Sequence, residues 1–128
     1  MSDDDLVRGL WSTMAEGWAE GDAERFAEAF APDVDFVTVR GEDLRGRAAV
    51  AEVHARLFAS VFRGTRLVPN FLLLRPLADG IRLVHVTTGI VPLGVLTHAQ
   101  AVVTRRDGAW SITAFHNMVP NVPEGSTP

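Results

Sequence analysis

The histidines of this chain offer the widest choice of chemistry, because an imidazole can give or take a proton near neutral pH. His54 stands out among the four. It falls within the apolar stripe of a predicted helix, together with Val53, Leu57 and Phe58, so its ring is expected to face the protein interior. There it could act as a general base, a general acid or a hydrogen-bond donor. A core histidine bonded to a nearby carbonyl is the alternative.

A second polar pair, His116 and Asn117, ends an apolar strand. If the strand is regular, Trp110, Ile112 and His116 share one face. That face is otherwise apolar, so we predict that it looks inward, while Asn117 on the other face could bond backbone groups. In an enzyme, His54 and His116 would then exchange acid and base roles. The alternative is that both residues at the strand end only satisfy buried backbone groups.

The remaining histidines, His85 and His98, fall on consecutive predicted strands, and the sequence leaves open which sheet face they and Gln100 occupy. Four histidines could surround a metal, but neither HxH nor HExxH spacing occurs and the chain has no cysteine. We therefore predict no metal and no cofactor. His98 and Gln100 would equally suit a dimer interface. The residues that we predict to bind a ligand are Trp11, Trp18, Phe36, Phe58, His85 and Asn117.

The composition excludes several classes of protein. Hydrophobic residues make up 47% and charged residues 22%, which excludes a disordered chain. No apolar run approaches the ~20 residues needed to cross a bilayer, so we expect no membrane partner. A net charge of -4 without a basic cluster argues against nucleic acid. The acidic start at Asp3, Asp4 and Asp5 and the lack of cysteine lead us to expect a cytoplasmic protein.

Helical periodicity predicts two helices that meet at a tight corner near the start of the chain. The first covers about residues 3–20 and stops at Gly21. Asp22 can cap the second, whose inner face extends to Phe30 before Pro32 ends the pattern. This corner would bring two aromatic stripes together.

One more helix and a set of strands are predicted beyond this corner. The segments are a strand at 34–39, a turn-rich loop at 40–46, a helix at about 47–62, and strands at 66–75, 81–91, 95–105 and 109–119. Short turns make the last four strands antiparallel neighbours. The expected fold is α+β, a cone-shaped curved antiparallel sheet packed on three N-terminal helices. We expect a single domain at 1–119 and a flexible tail at 120–128.

Several motifs occur in a recognisable order along the chain. They are Trp18-x3-Asp22-x3-Phe26-x3-Phe30, Val34-Asp35-Phe36, Leu44-Arg45-Gly46-Arg47 and Trp110-x-Ile112-x-Ala114-Phe115-His116-Asn117. This set resembles the nuclear transport factor 2-like superfamily in its SnoaL-like branch. The last motif, together with His54 and Leu83-Val84-His85-Val86, narrows the resemblance to the SgcJ/EcaC group. The resemblance implies a barrel with a pocket between sheet and helices, commonly dimeric through the outer sheet face. It also implies a role in natural-product pathways, notably beside enediyne polyketide synthases.

Two mechanisms known in this superfamily do not fit the sequence. Ketosteroid isomerases use a tyrosine as oxyanion donor, and this chain has no tyrosine. SnoaL-type cyclases use an aspartate on a late strand, where residues 112–117 offer His116 and no acid.

Two hypotheses about function therefore stand. The first is a protein of secondary metabolism that binds a hydrophobic small molecule and cyclises or isomerises it by proton transfer, or only protects it. The second is a non-catalytic homodimer that binds or assembles with a biosynthetic enzyme. The sequence does not decide whether the protein is an enzyme.

Overall fold

The computed structural model describes residues 1–120, so the predicted tail at 120–128 lies almost entirely outside the described residues. The first helix, α1, spans Asp3–Glu20 as predicted. Ser2 caps it, because its hydroxyl accepts from the Asp5 N–H while the Asp5 carboxylate accepts from the Ser2 N–H. Gly21 ends it with φ 68°, a left-handed conformation that glycine adopts without steric cost.

The second helix, α2, is shorter than predicted and covers only Ala23–Ala27. Asp22 caps it by accepting a hydrogen bond from the Arg25 N–H. Phe30, predicted on this helix, instead begins strand β1 at Phe30–Val37. Pairing with a distant strand explains the difference, because Phe30 pairs with Ile112 and the Ala29 carbonyl accepts a hydrogen bond from the Ile112 N–H at 2.9 Å.

The next elements are a short strand that the sequence did not predict and the third helix. Strand β2, Asp43–Arg45, lies within the predicted loop and pairs with β1. Helix α3 covers Arg47–Phe58 and ends before the predicted residue 62. None of the described helices is long and apolar enough to cross a membrane.

Four long strands complete the sheet: β3 at Arg66–Ala78, β4 at Ile81–Val91, β5 at Val95–Arg106 and β6 at Ala109–Met118. The strand order is β2-β1-β6-β5-β4-β3. The predicted α+β fold is thus confirmed, and β3 to β6 are antiparallel neighbours as expected. One pairing departs from the prediction of an antiparallel sheet, because β1 runs parallel to β6. A parallel pair needs a long crossover, and α3 with β3 to β5 supplies it.

The three helices cover one face of this curved sheet, and an aromatic cluster fills the space between them. Trp18 of α1 packs against Phe26 and Phe58 at ring-centroid distances of 5.8 and 5.0 Å. Its indole N–H donates to the Thr65 hydroxyl at 2.8 Å, which satisfies a buried donor. Gly17 lets α1 and α2 touch, since a Cβ there would lie 2.2 Å from the Phe26 backbone nitrogen. The helix corner is therefore fixed by backbone contact.

The start of α1 is held against the sheet by charges around Trp110. The guanidinium groups of Arg82 and Arg105 lie 5.2 and 5.4 Å from the Trp110 ring. Both arginines also form ion pairs with Asp3. These contacts keep α1 lying across the sheet, which places its aromatic stripe over the inner face.

Candidate functional site

A cavity lies between the sheet and the helices and has two adjoining compartments. The volume of the inner compartment is about 50 Å³ and that of the outer one is about 120 Å³. Residues that border both compartments are Trp18, Phe36, His54, Ile90, Thr97 and Asn117. No charged residue among those that the structure describes lines either compartment. The cavity therefore suits an uncharged, largely apolar molecule.

His54 lies where the two compartments meet, inside a cage of aromatic rings. Its ring stacks on Phe26 at 4.4 Å and meets Phe36 and Phe58 edge-on at 5.6 and 6.0 Å. Only 7% of the residue is exposed. Its Nδ1 lies 2.8 Å from the Val50 carbonyl oxygen, one helical turn earlier. A carbonyl can only accept, so Nδ1 carries the proton and donates to it.

Burial keeps this imidazole neutral. Loss of solvation lowers the pKa of His54 to about 4, against an ordinary value of 6.5, and the bond to Val50 only partly opposes that change. With the proton on Nδ1, the other ring nitrogen, Nε2, holds a free lone pair at neutral pH. His54 is thus a hydrogen-bond acceptor at Nε2 and a weak base.

The second ring nitrogen of His54, Nε2, makes no hydrogen bond among the described residues. Three buried side-chain atoms of the described residues lack a hydrogen-bond partner: Trp11 Nε1, Trp110 Nε1 and Asn117 Oδ1. Nε2 also has no partner in the described part of the chain, yet it is not among these fully enclosed atoms. Because His54 lines both compartments, we infer that Nε2 is the ring atom available to a ligand in the cavity.

Four of the residues predicted to bind a ligand line this cavity. They are Trp11, Trp18, Phe36 and Asn117. Phe58 is buried but borders neither compartment. Its ring packs against the rings of Trp18 and His54. His54 was predicted to face inward and does so. Whether these residues bind a ligand stays a prediction.

The predicted orientation of the pair at the end of β6 is wrong, because the strand contains a bulge. Val103 of β5 pairs with Ile112 and its neighbour Val102 pairs with Ala114, which leaves Thr113 as an additional residue. A bulge reverses the alternation of faces beyond it. Asn117 therefore points into the cavity, and His116 is exposed on the outer face.

The structure consequently does not bring His116 and His54 to one site. His116 borders a shallow depression on the outer face with Asp35 and Gln100. Since the sheet lies between its ring and the cavity, an exchange of protons between the two histidines across a shared ligand is not available.

His85 was predicted to bind a ligand while its sheet face was left open, and the structure does not place it in the cavity. Val84 and Val86 are fully buried against the core, so His85 between them points to the outer face. There its Nδ1 lies 3.0 Å from Nε2 of His98, and its Nε2 lies 3.1 Å from the Gln100 amide nitrogen. The described residues contain no group of three or more potential ligands that could hold a metal ion.

Sequence reasoning did not single out several residues of the cavity wall. Phe115 stacks on Phe36 at 4.8 Å and lines the inner compartment with Phe26. The prediction assumed a regular strand without this bulge and therefore placed Phe115 on the outer face. Thr97 alternates with Ala99 and Ala101, both buried, and this pattern could have placed it inside.

A curved open sheet with three helices on one face and an apolar cavity between them defines the cystatin-like or nuclear transport factor 2-like class of α+β proteins. Within that class the SnoaL-like domain family matches residues 11–113, and the chain belongs to this family. A comparison with curated proteins gives no significant match.

Solved structures show the same fold. A domain of unknown function with a cystatin-like fold from Nostoc punctiforme is 27% identical, with a TM-score of 0.88 over 95% of this chain and 80% of that chain. A nuclear transport factor 2-like protein from Shewanella oneidensis is 15% identical, with a TM-score of 0.81 over 91% and 99%. A protein provisionally named scytalone dehydratase from Novosphingobium aromaticivorans is 13% identical, with a TM-score of 0.79 over 98% and 89%. At 15% and 13% identity, the last two show the fold alone.

Proposed function

We propose that this protein binds an uncharged hydrophobic small molecule in the cavity around His54, and that this molecule belongs to secondary metabolism of the polyketide or enediyne type. One observation carries the binding proposal: the cavity wall is aromatic and uncharged, yet it presents one neutral, unpaired imidazole nitrogen. An apolar pocket with a few directed polar groups is the usual form of a small-molecule site.

The metabolic context is supported by the resemblance of the ordered motifs to the SgcJ/EcaC group. The name of the Novosphingobium relative, which assigns it a dehydratase activity on scytalone, is compatible with small-molecule chemistry in this fold. Neither observation identifies the substrate, so retention of a molecule in the cavity is the property to measure.

Cyclisation or isomerisation is the catalytic form of this proposal, and His54 would then carry the proton transfer without His116. A base with a pKa of about 4 takes little proton from a ligand at neutral pH, so its contribution would be largest for a ligand that is itself acidic. Binding and orientation of the ligand through Nε2 is the role that the geometry favours. No cofactor is needed for either role.

A substitution that fills the cavity with a larger side chain is expected to abolish binding of the proposed hydrophobic ligand. Thr97 borders both compartments, so Thr97→Phe places a ring where they meet. Native mass spectrometry of protein purified from its own host should show a bound small neutral molecule on the wild type and none on Thr97→Phe.

Thr87→Phe is the matched control, because Thr87 pairs with His98 on the outer face. It is expected to retain the molecule as the wild type does. Wild-type protein without any retained molecule, or equal retention by Thr97→Phe, would contradict the binding proposal.

A second candidate function, a homodimer that binds or assembles with a biosynthetic enzyme, is favoured by the outer face of the sheet. Four apolar side chains on this face, Val68, Leu73, Leu96 and Met118, are between 39% and 49% exposed. They surround the pair formed by His85 and His98. Monomeric soluble proteins seldom expose a large apolar patch without a partner.

Sedimentation equilibrium at several protein concentrations tests this candidate. We expect the wild type to have the mass of a dimer, and we expect Leu73→Glu to be monomeric at the same concentration, because a buried unpaired charge opposes association. Leu93→Glu, at an exposed position outside the strands, is the control and should remain dimeric. A wild type that is monomeric at all concentrations would contradict the proposed homodimer.

A further inference from the structure

The polar groups of the cavity define which kind of hydrophobic molecule it accepts, and this inference rests on the proposed binding function. Two side chains at the meeting point of the compartments leave hydrogen-bonding atoms without a described partner. One is His54 through Nε2, and the other is the amide of Asn117. The Asn117 oxygen is enclosed without a partner, and the amide nitrogen makes no hydrogen bond among the described residues, so we take this nitrogen as the group that is available to a ligand.

These two groups are complementary to each other in type. Nε2 of His54 is a pure acceptor, because Nδ1 already holds the ring proton in its bond to Val50. The amide nitrogen of Asn117 is a pure donor. A hydroxyl group is the simplest ligand group that donates to one atom and accepts from another.

The walls around these groups add two further requirements. Trp18 and Phe36 border both compartments, and Phe26 and Phe115 enclose the inner one, so flat ring faces surround the ligand. No charged side chain of the described residues reaches the cavity, so an anionic or cationic group would be buried without compensation.

We propose that the cavity selects a neutral aromatic molecule bearing a hydroxyl group, which donates to Nε2 of His54 and accepts from the amide of Asn117. The neutral state of the imidazole supports this arrangement, because a protonated ring could not accept the hydroxyl hydrogen. A phenol or a stable enol meets the requirement, whereas its methyl ether can accept but not donate.

Four matched probes test this selection: naphthol, its methyl ether, unsubstituted naphthalene and naphthoate. Binding is followed by calorimetry and by the fluorescence of Trp11 and Trp18, which line the cavity. We expect naphthol to bind about tenfold more tightly than the ether, the value of one additional hydrogen bond. Naphthalene can neither donate nor accept, so it should bind no more tightly than the ether, and naphthoate should bind at least ~100-fold more weakly than naphthol.

The variant His54→Phe keeps an aromatic ring in the cage and removes the acceptor. It should bring naphthol to within about twofold of the ether while naphthalene binding is retained. His116→Phe is the matched control, because the same substitution then lies on the outer face. It should leave the preference for naphthol unchanged.

A second measurement uses wild-type protein, so it does not depend on folding of the variant. The nitrogen NMR resonance of His54 Nε2 should shift when naphthol is added, as a lone pair does on accepting a hydrogen bond, and should shift much less with the ether. Equal affinities of naphthol and ether in the wild type, or an unmoved Nε2 resonance, would overturn the hydroxyl inference alone. Failure of all four probes to bind, naphthalene included, would overturn the proposed binding function as well.

Discussion

Gly17→Ala is expected to lower the free energy of unfolding by about 3 kcal/mol, which is at the upper end for an overpacked contact. A Cβ at this position would lie 2.2 Å from the Phe26 backbone nitrogen and 2.6 Å from its Cα. Because both atoms belong to the backbone, no side-chain rotation can relieve the clash. The helix corner must open, and that movement displaces Trp18 and Phe26 from the cavity wall. Urea denaturation measures the change.

Gly9→Ala is the matched control on the same helix. Gly9 is exposed, and a Cβ there would have no neighbour within 4 Å. Alanine should therefore stabilise the protein by about 0.5 to 1 kcal/mol through its higher helix propensity. The two substitutions are chemically identical and are expected to have opposite signs. A change of the same sign and size at both sites would contradict the inference that the contact with α2 sets the cost at Gly17.

Acidification is expected to weaken the fold through His54 before the carboxylates titrate fully. The pKa of this imidazole is about 4 in the folded protein and 6.5 in its ordinary state. At pH values between about 4 and 6.5, His54 is protonated in the unfolded chain and neutral in the folded chain. The free energy of unfolding therefore falls as the pH decreases from about 7 to about 4, and the contribution of His54 levels off below that range. Over this whole pH range, the contribution of His54 to the free energy of unfolding changes by roughly 3 kcal/mol.

The variant His54→Phe isolates this contribution from the other titrating groups. Urea denaturation at a series of pH values should give a flatter profile for the variant than for the wild type, with the difference lying between about pH 4 and 6.5. His116→Phe removes an exposed imidazole instead and should follow the wild-type profile. Parallel profiles for the wild type and His54→Phe would mean that the buried ring takes up its proton as readily as in the unfolded chain.

These expectations connect stability with the proposed function at one residue. The surroundings that make His54 costly to protonate are the aromatic rings and the absence of charged neighbours in the cavity. The same surroundings keep Nε2 available as an acceptor. A ligand hydroxyl at Nε2 should therefore stabilise the neutral ring further, and the pH at which the fold weakens should move lower when naphthol is bound.

Local sequence signals were sufficient for most of the elements around the cavity. The start and end of α1 follow from the Ser2 and Gly21 caps, and β4 at Ile81–Val91 has the bounds that alternation and turn residues predicted. The inward position of His54 also followed from helical periodicity alone. Each of these features depends on residues that are close in the chain.

The errors have a different origin, because they depend on how distant segments pair. β1 joins β6 in parallel, and no short-range signal marks such a contact. The bulge near Thr113 adds one residue to β6 and exchanges the faces of His116 and Asn117. His85 was predicted to bind a ligand while its sheet face was left open, and the burial of Val84 and Val86 on either side of it puts it on the outer face.

By itself, the sequence determined that this chain forms an α+β domain with an apolar interior that His54 faces. Periodicity and capping act over a few residues, and those signals are written locally. Only the tertiary structure decided that Asn117, not His116, joins His54 at the cavity, because a single unpaired residue in a strand ladder reverses every face beyond it.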